Sequence, residues 1–168
     1  MRNDKRGDVI GLSFSMIFSI ILIVIFIVIA FIGINAFLKT KDCAKIGIFI
    51  DDLRGRVDNA WNSQQDDSEF KGSIPSNLEY VCLFDLEKNP VGINRKIGNE
   101  LNVYEGTGSN LFLYPPEKAC STPRHSISHL DIEKITKSQN PYCIKIERGS
   151  IKFRIKKDFN DKLVSISE

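Results

Sequence analysis

The chain has 168 residues, 42% of them apolar and 26% charged, with a formal net charge of +2 at pH 7. A balance so near neutrality argues against nucleic acid as a partner, because no excess of cations is available for phosphates. The even count of four cysteines suits two disulfides in an oxidising compartment.

The apolar residues are concentrated at one end. From Val9 to Leu38 there are thirty consecutive residues without Asp, Glu, Lys or Arg, and twenty-one of them are Ile, Leu, Val or Phe. At roughly 0.3 to 0.6 kcal/mol each, they favour insertion into a bilayer by about 6 to 13 kcal/mol. Ser13, Ser15, Ser19 and Asn35 do not offset that. Hydrocarbon offers no partner to backbone N–H and C=O groups, and one segment cannot close a barrel, so the stretch is expected as a transmembrane helix. It exceeds the ~30 Å hydrocarbon core, so it tilts, protrudes or enters an assembly. A secretory signal has an apolar core about half this length, ending in a small-x-small site. Gly33-Ile34-Asn35-Ala36-Phe37 is a poor one.

Arg2, Lys5 and Arg6 precede the helix and Lys39, Lys41 and Lys45 follow it, a tie by the positive-inside count. Cys43, Cys82, Cys120 and Cys143 all follow the helix, which favours a cytoplasmic tail and an extracytoplasmic domain. The expected organisation is a short basic cytoplasmic tail (1–8), a transmembrane helix (9–38), an amphipathic helix (39–63) and a small extracytoplasmic β-rich domain (64–168).

Within the helix, Gly11, Ser15 and Ser19 recur every four residues. That spacing puts three small groups on one face, where a second helix can approach closely.

After the anchor, Ile46, Phe49, Ile50, Leu53, Val57, Ala60 and Trp61 recur at three- and four-residue intervals, predicting an amphipathic helix from about Lys41 to Asn62. No proline precedes Pro75, so the membrane helix can run directly into it. Ser63 to Gly72 is polar and reads as a loop. Leu78 to Leu86 reads as a strand, Ile93 to Val103 as a weak short helix, and Leu111 to Tyr114 as a short strand stopped by Pro115-Pro116. Cys120 to Pro141 is irregular, with one helical turn around Leu130 to Ile135. Tyr142 to Glu147 and Ile151 to Lys156 flank Arg148-Gly149, a hairpin signal. Leu163 to Ile166 is a candidate last strand. One long helix followed by antiparallel strands predicts an α+β fold, with the apolar stripe packed on a sheet.

Four cysteines allow three pairings. Loop closure alone favours Cys43–Cys82 with Cys120–Cys143, because neighbouring segments close most readily. The alternative is zinc held by Cys120, His125, His129 and Cys143, but C-x-x-C is absent and Pro123 opposes the helix such a pattern wants. His125 and His129 otherwise read as exposed loop histidines, since no G-x-S-x-G or H-E-x-x-H accompanies them. Glu105-Gly106-Thr107-Gly108-Ser109 superficially resembles a phosphate-binding loop but lacks G-K-[ST] and a following helix. Lys152, Arg154 and Lys156, with Lys145, Arg148, Lys157 and Lys162 nearby, make one strand face basic. Such a row can touch anionic headgroups or an acidic polymer; more commonly it is a solvated face that discourages edge aggregation.

Lys5-Arg6-Gly7, the uninterrupted apolar helix, the amphipathic helix and the small sheet together resemble type IV pilin-like proteins of archaea. That resemblance implies cleavage between Gly7 and Asp8 by a membrane peptidase, and helices that bundle into a filament core. Two features depart from it: Leu12 stands where many pilins carry Glu, and the apolar run is longer. Gly11 to Ile20, Cys43 and Phe159 to Val164 also resemble membrane-anchored proteins of small-genome archaea, a family without an assigned activity. The expectation is a structural or interaction protein of the cell envelope rather than an enzyme. Its partners are the lipid bilayer and a homo-oligomer or pilus-like assembly, and no cofactor is called for. A membrane-tethered binding module for a surface ligand is the other reading.

Overall fold

The computed structural model describes residues 14–168. The expected processing site, Gly7 and Asp8, lies outside the described residues. So do Gly11 and the side chain of Ser15 from the expected helix-association face.

Helix α1 spans Phe14–Asn62. The chain forms two compact units that divide between Thr40 and Lys41. In the first, the described residues are helical, and their large apolar side chains point outward on every side. Phe26 is 66% exposed, Phe31 67% and Phe37 70%. Among the described residues of that unit, nothing covers them.

In the second unit, the part of α1 beyond Lys41 carries the stripe that the periodicity predicts. Ile46, Phe49, Ile50, Leu53, Val57 and Ala60 are all buried, whereas Trp61 is 38% exposed at the end of the stripe. The stripe packs on two antiparallel sheets, which gives the α+β architecture. One sheet has the order β1-β6-β7, with β1 at Asp66–Ser73, β6 at Ser150–Lys157 and β7 at Ser165–Ser167. The other has the order β4-β3-β2-β5, with β2 at Tyr80–Leu83, β3 at Leu111–Tyr114, β4 at Arg124–His125 and β5 at Tyr142–Lys145.

Both faces of the second sheet are covered. Val81, Leu83, Leu111, Leu113 and Ile144 join the core under α1. Cys82 and Phe112 point the other way and form a smaller cluster with Phe84 and Leu101. Leu101 closes helix α2 (Arg95–Leu101), which continues into a 3-10 turn at Asn102–Tyr104. The weak helix expected over 93–103 is therefore present in shorter form, with Ile93 outside it and 88% exposed. Helix α3, Ile132–Ile135, is the single turn expected near Leu130; Asp131 caps it by accepting from the Lys134 N–H at 2.9 Å.

Two expectations are corrected. The segment read as a loop from Ser63 to Gly72 contains strand β1, which pairs with β6 along its whole length, from Asp66 opposite Lys157 to Ser73 opposite Ser150. Only Phe70 and its neighbour in the register, Phe153, bring aromatic bulk to that pair, their rings stacked at 4.9 Å. The strand exists because β6 supplies a ladder and opposite charges, not because its own residues prefer extension.

The second correction is the hairpin. Its turn is present: Arg148 and Gly149 both have positive φ (51° and 75°), as a type I′ turn requires. Glu147 and Ser150 exchange backbone hydrogen bonds of 2.8 and 2.9 Å. Beyond that pair the two strands separate, β5 joining one sheet and β6 the other.

Candidate functional site

The cysteines form two disulfides, Cys43–Cys120 and Cys82–Cys143, and none is free. This overturns the pairing expected from loop closure. That entropy grows only with the logarithm of loop length, about 0.6 kcal/mol per doubling, so the fold easily outweighs it. Antiparallel pairing of β2 with β5 sets Cys82 directly opposite Cys143, with Cα atoms 4.0 Å apart. Cys43, near the start of the second unit, is tied to the segment after β3. Because Cys120 and Cys143 belong to different disulfides, neither offers the thiolate that the zinc alternative needs. Among the described residues, no three of His, Cys, Asp and Glu converge as a metal-ligand set.

The histidines are not simply exposed loop residues. His125 sits in β4, and its Nε2 is buried without a hydrogen-bond partner among the described residues. Burial lowers its pKa, opposed by a hydrogen bond to the Thr122 backbone. His129 lies flat against Trp61, ring centroids 3.7 Å apart and planes 10° apart, with Nε2 3.9 Å from Asp58 Oδ1. The Trp61 indole N–H donates to the Lys162 carbonyl at 3.2 Å, which fastens the β6–β7 connection to the end of α1.

Asn140 is a structural residue that no sequence motif announces. It is buried, and its Oδ1 accepts from the Asp85 N–H at 3.0 Å while Nδ2 donates to the Asp85 and Lys88 carbonyls at 2.9 and 3.1 Å. One side chain thus supplies the backbone partners of the turn after β2. Tyr114 donates to Glu100 Oε2 at 2.8 Å, and that bond, with desolvation second, pushes its pKa up to about 12. The Gly106–Gly108 loop is a turn, with Thr107 Oγ1 donating to the Tyr104 carbonyl at 2.7 Å, and it leads into strand β3.

Much of the basic row on β6 is already engaged. Arg154 donates to Asp67 Oδ1 through Nε at 3.0 Å and Nη2 at 2.7 Å. Lys156 pairs with Asp158 at 3.1 Å, and Lys157 Nζ donates to the Trp61 and Ser63 carbonyls at 2.6 and 2.7 Å. Lys71 pairs with Glu69, and that hydrogen bond holds the Glu69 pKa below its ordinary value.

Where β5 and β6 part, they leave a cleft of about 1160 Å³. Ile144, Ile146 and Phe153 line it together with Lys145, Glu147, Arg148 and Lys152. Glu168 also lines it, and the Glu168 N–H donates to Tyr142 Oη at 2.8 Å.

The chain matches no family model, no curated protein and no solved structure. Its class rests on its own features: an α+β chain with, among the described residues, one helix long and apolar enough to cross a membrane, and a doubly disulfide-linked domain. Those features fit a single-pass membrane protein or a secreted one.

Proposed function

We propose that the chain is a single-pass envelope protein of structural or interaction type, its apolar helix in the membrane and its disulfide-linked domain on the extracytoplasmic side. One observation carries the reading: from Met16 to Leu38 the helix exposes its large apolar side chains all round. A helix apolar on every side needs lipid or other helices as its surroundings. The two disulfides favour an oxidising compartment for the domain and so a cytoplasmic tail.

Self-association through Gly11, Ser15 and Ser19 rests on their four-residue spacing, since close packing of small residues is what drives helices together in lipid. The pilin-like resemblance adds removal of the first seven residues and joining of a filament. None of these roles calls for catalysis, and we read the chain as a non-enzyme.

Alkaline carbonate extraction of native membranes tests the anchor: the chain stays in the pellet, and release to the supernatant would refute it. Intact mass tests processing: loss of residues 1–7 makes filament assembly the working reading, and a full-length chain leaves a permanent anchor. Bulky leucine at Ser15 and Ser19 together tests assembly: the oligomer in mild detergent should dissociate. An unchanged oligomeric state would remove helix-driven association.

A further inference from the structure

We propose that the window between β5 and β6 is a docking site for an extended peptide segment of three or four residues with carboxylates at its centre. The inference goes beyond the anchor reading and does not depend on it.

The backbone argument comes first. The Ile146 N–H donates to the Glu79 carbonyl, so even-numbered residues of β5 turn their backbone groups toward β2. In an antiparallel ladder this alternates, so the N–H and C=O of Lys145 face away from β2, into the window. On β6, Ser150 gives both backbone groups to Glu147, and Lys152, two residues on, points the same way. The ladder with β7 begins only at Arg154 opposite Ser167, so it does not reach Lys152. Two stretches of unpaired strand edge thus look into one cleft. Unpaired main-chain donors and acceptors are the means by which a sheet edge captures an extended peptide.

Charge selects the occupant. Arg154 and Lys71 are tied to Asp67 and Glu69, but Lys145, Arg148 and Lys152 have no ion-pair partner among the described residues. Glu147 offsets Arg148 at the turn end, and Glu168 stands at the other; Glu69, which also lines the cleft and faces Lys152, is itself bound to Lys71. The middle of the window, between Lys145 and Lys152, is therefore cationic and its ends are not. Ile144, Ile146 and Phe153 line the cleft but are themselves buried in the core, so recognition rests on the main-chain groups and the cations. From Cys143 to Glu147 the edge runs about 13 Å, enough for three or four extended residues. An anionic headgroup would meet the cations but would leave the main-chain groups unmatched.

The test uses the full-length chain in nanodiscs of zwitterionic lipid and a fluorescent acetylated Val-Glu-Val-Glu-Val peptide, read by anisotropy. Saturable binding that weakens with salt is expected, falling about tenfold or more in K145E/K152E and in a peptide twin with N-methylated amides. Absence of saturable binding would overturn the proposal. Equal binding of the N-methylated twin would overturn it too, leaving a plain anion patch. So would anionic vesicles binding where the peptide does not. Hydrogen exchange gives a readout free of mutation. The Lys145 and Lys152 amides exchange quickly alone and slow when peptide is added; no slowing sinks the site even if the charge variant fails to fold.

Discussion

The imidazole of His129 covers one face of the Trp61 indole, 3.7 Å away and within 10° of parallel. Trp61 is the chain's one tryptophan, so its fluorescence reports this contact alone. The stack closes the far end of α1 against the β6–β7 connection, where the indole N–H also holds the Lys162 carbonyl. An aromatic pair of this kind contributes about 0.5 to 1.5 kcal/mol beyond its buried area. In H129A, acrylamide should quench Trp61 more efficiently, and the unfolding midpoint should drop by a loss on the order of 1 kcal/mol. Unchanged quenching would show that the ring is not covered in solution.

His125 sets a pH dependence. Its Nε2 is buried and unpaired, so the folded chain keeps the ring neutral to a lower pH than the unfolded chain does. The unfolded state therefore binds the extra proton first. Stability should be level above the ordinary histidine range and should fall as pH drops below about 6.5. Glu69 and Asp161, whose pKa values are lowered by Lys71 and Lys134, lose their contributions only at more acidic pH. Thermal unfolding between pH 7.5 and 5 (roughly the window above carboxylate titration) should show the slope in the native chain and a flatter profile in H125Q. Equal slopes would assign the acid sensitivity elsewhere.

What the sequence made legible tracks how local each cause is. The stripe from Ile46 to Ala60 was readable because helix burial repeats every three to four residues whatever the partner, and its side chains are buried as the periodicity requires while Ile48, outside the stripe, is exposed. The turn at Arg148-Gly149 was readable because positive φ needs a particular residue type. What failed depends on distant chain. Strand β1 has the sequence of a polar loop, and only its register against β6 makes it a strand. The destinations of β5 and β6, and with them the cleft, are invisible from the turn. The basic row was correctly placed on an exposed face, but its neutralisation by Asp67 and Asp158 comes from pairing and a later turn.

Gly72 shows how closely the helix sits on the first sheet. A Cβ built there would stand 2.6 and 2.7 Å from the Phe49 ring carbons Cδ2 and Cε2, and 3.0 Å from Phe70. Phe49 is buried and meets Phe70 edge-on at 5.9 Å, so neither ring has room to retreat. G72A is expected to cost about 1 to 3 kcal/mol through overpacking. L53A, which opens a cavity in the same layer, is expected to cost about 2 to 5 kcal/mol. Combining G72A with F49L should recover part of the loss, because the shorter side chain vacates the contact. Denaturant midpoints of the three variants and the double variant decide it; strictly additive losses would mean that Phe49 does not press on Gly72.

The two disulfides close loops of similar size, with sequence separations of 77 and 61 residues, so the chain-entropy view gives each about 4 kcal/mol. Their surroundings predict different failures. Cys82 is fully buried between β2 and β5, in the cluster with Phe84, Leu101 and Phe112. C82A/C143A removes volume from that cluster as well as the cross-link, so protection from hydrogen exchange should fall across the whole second sheet. Cys43 precedes the first buried residue of the stripe, Ile46, and its bond to Cys120 fastens the start of the part of α1 that packs on the sheets. C43A/C120A should therefore release amides 41–46 and the segment around Cys120 first, with Leu53 and Val57 still protected by their packing. Hydrogen exchange resolved by residue separates the outcomes. If C43A/C120A lowered protection uniformly through both sheets, the bond at Cys43 would be a global staple and not a local clamp on the start of the packed stretch of α1.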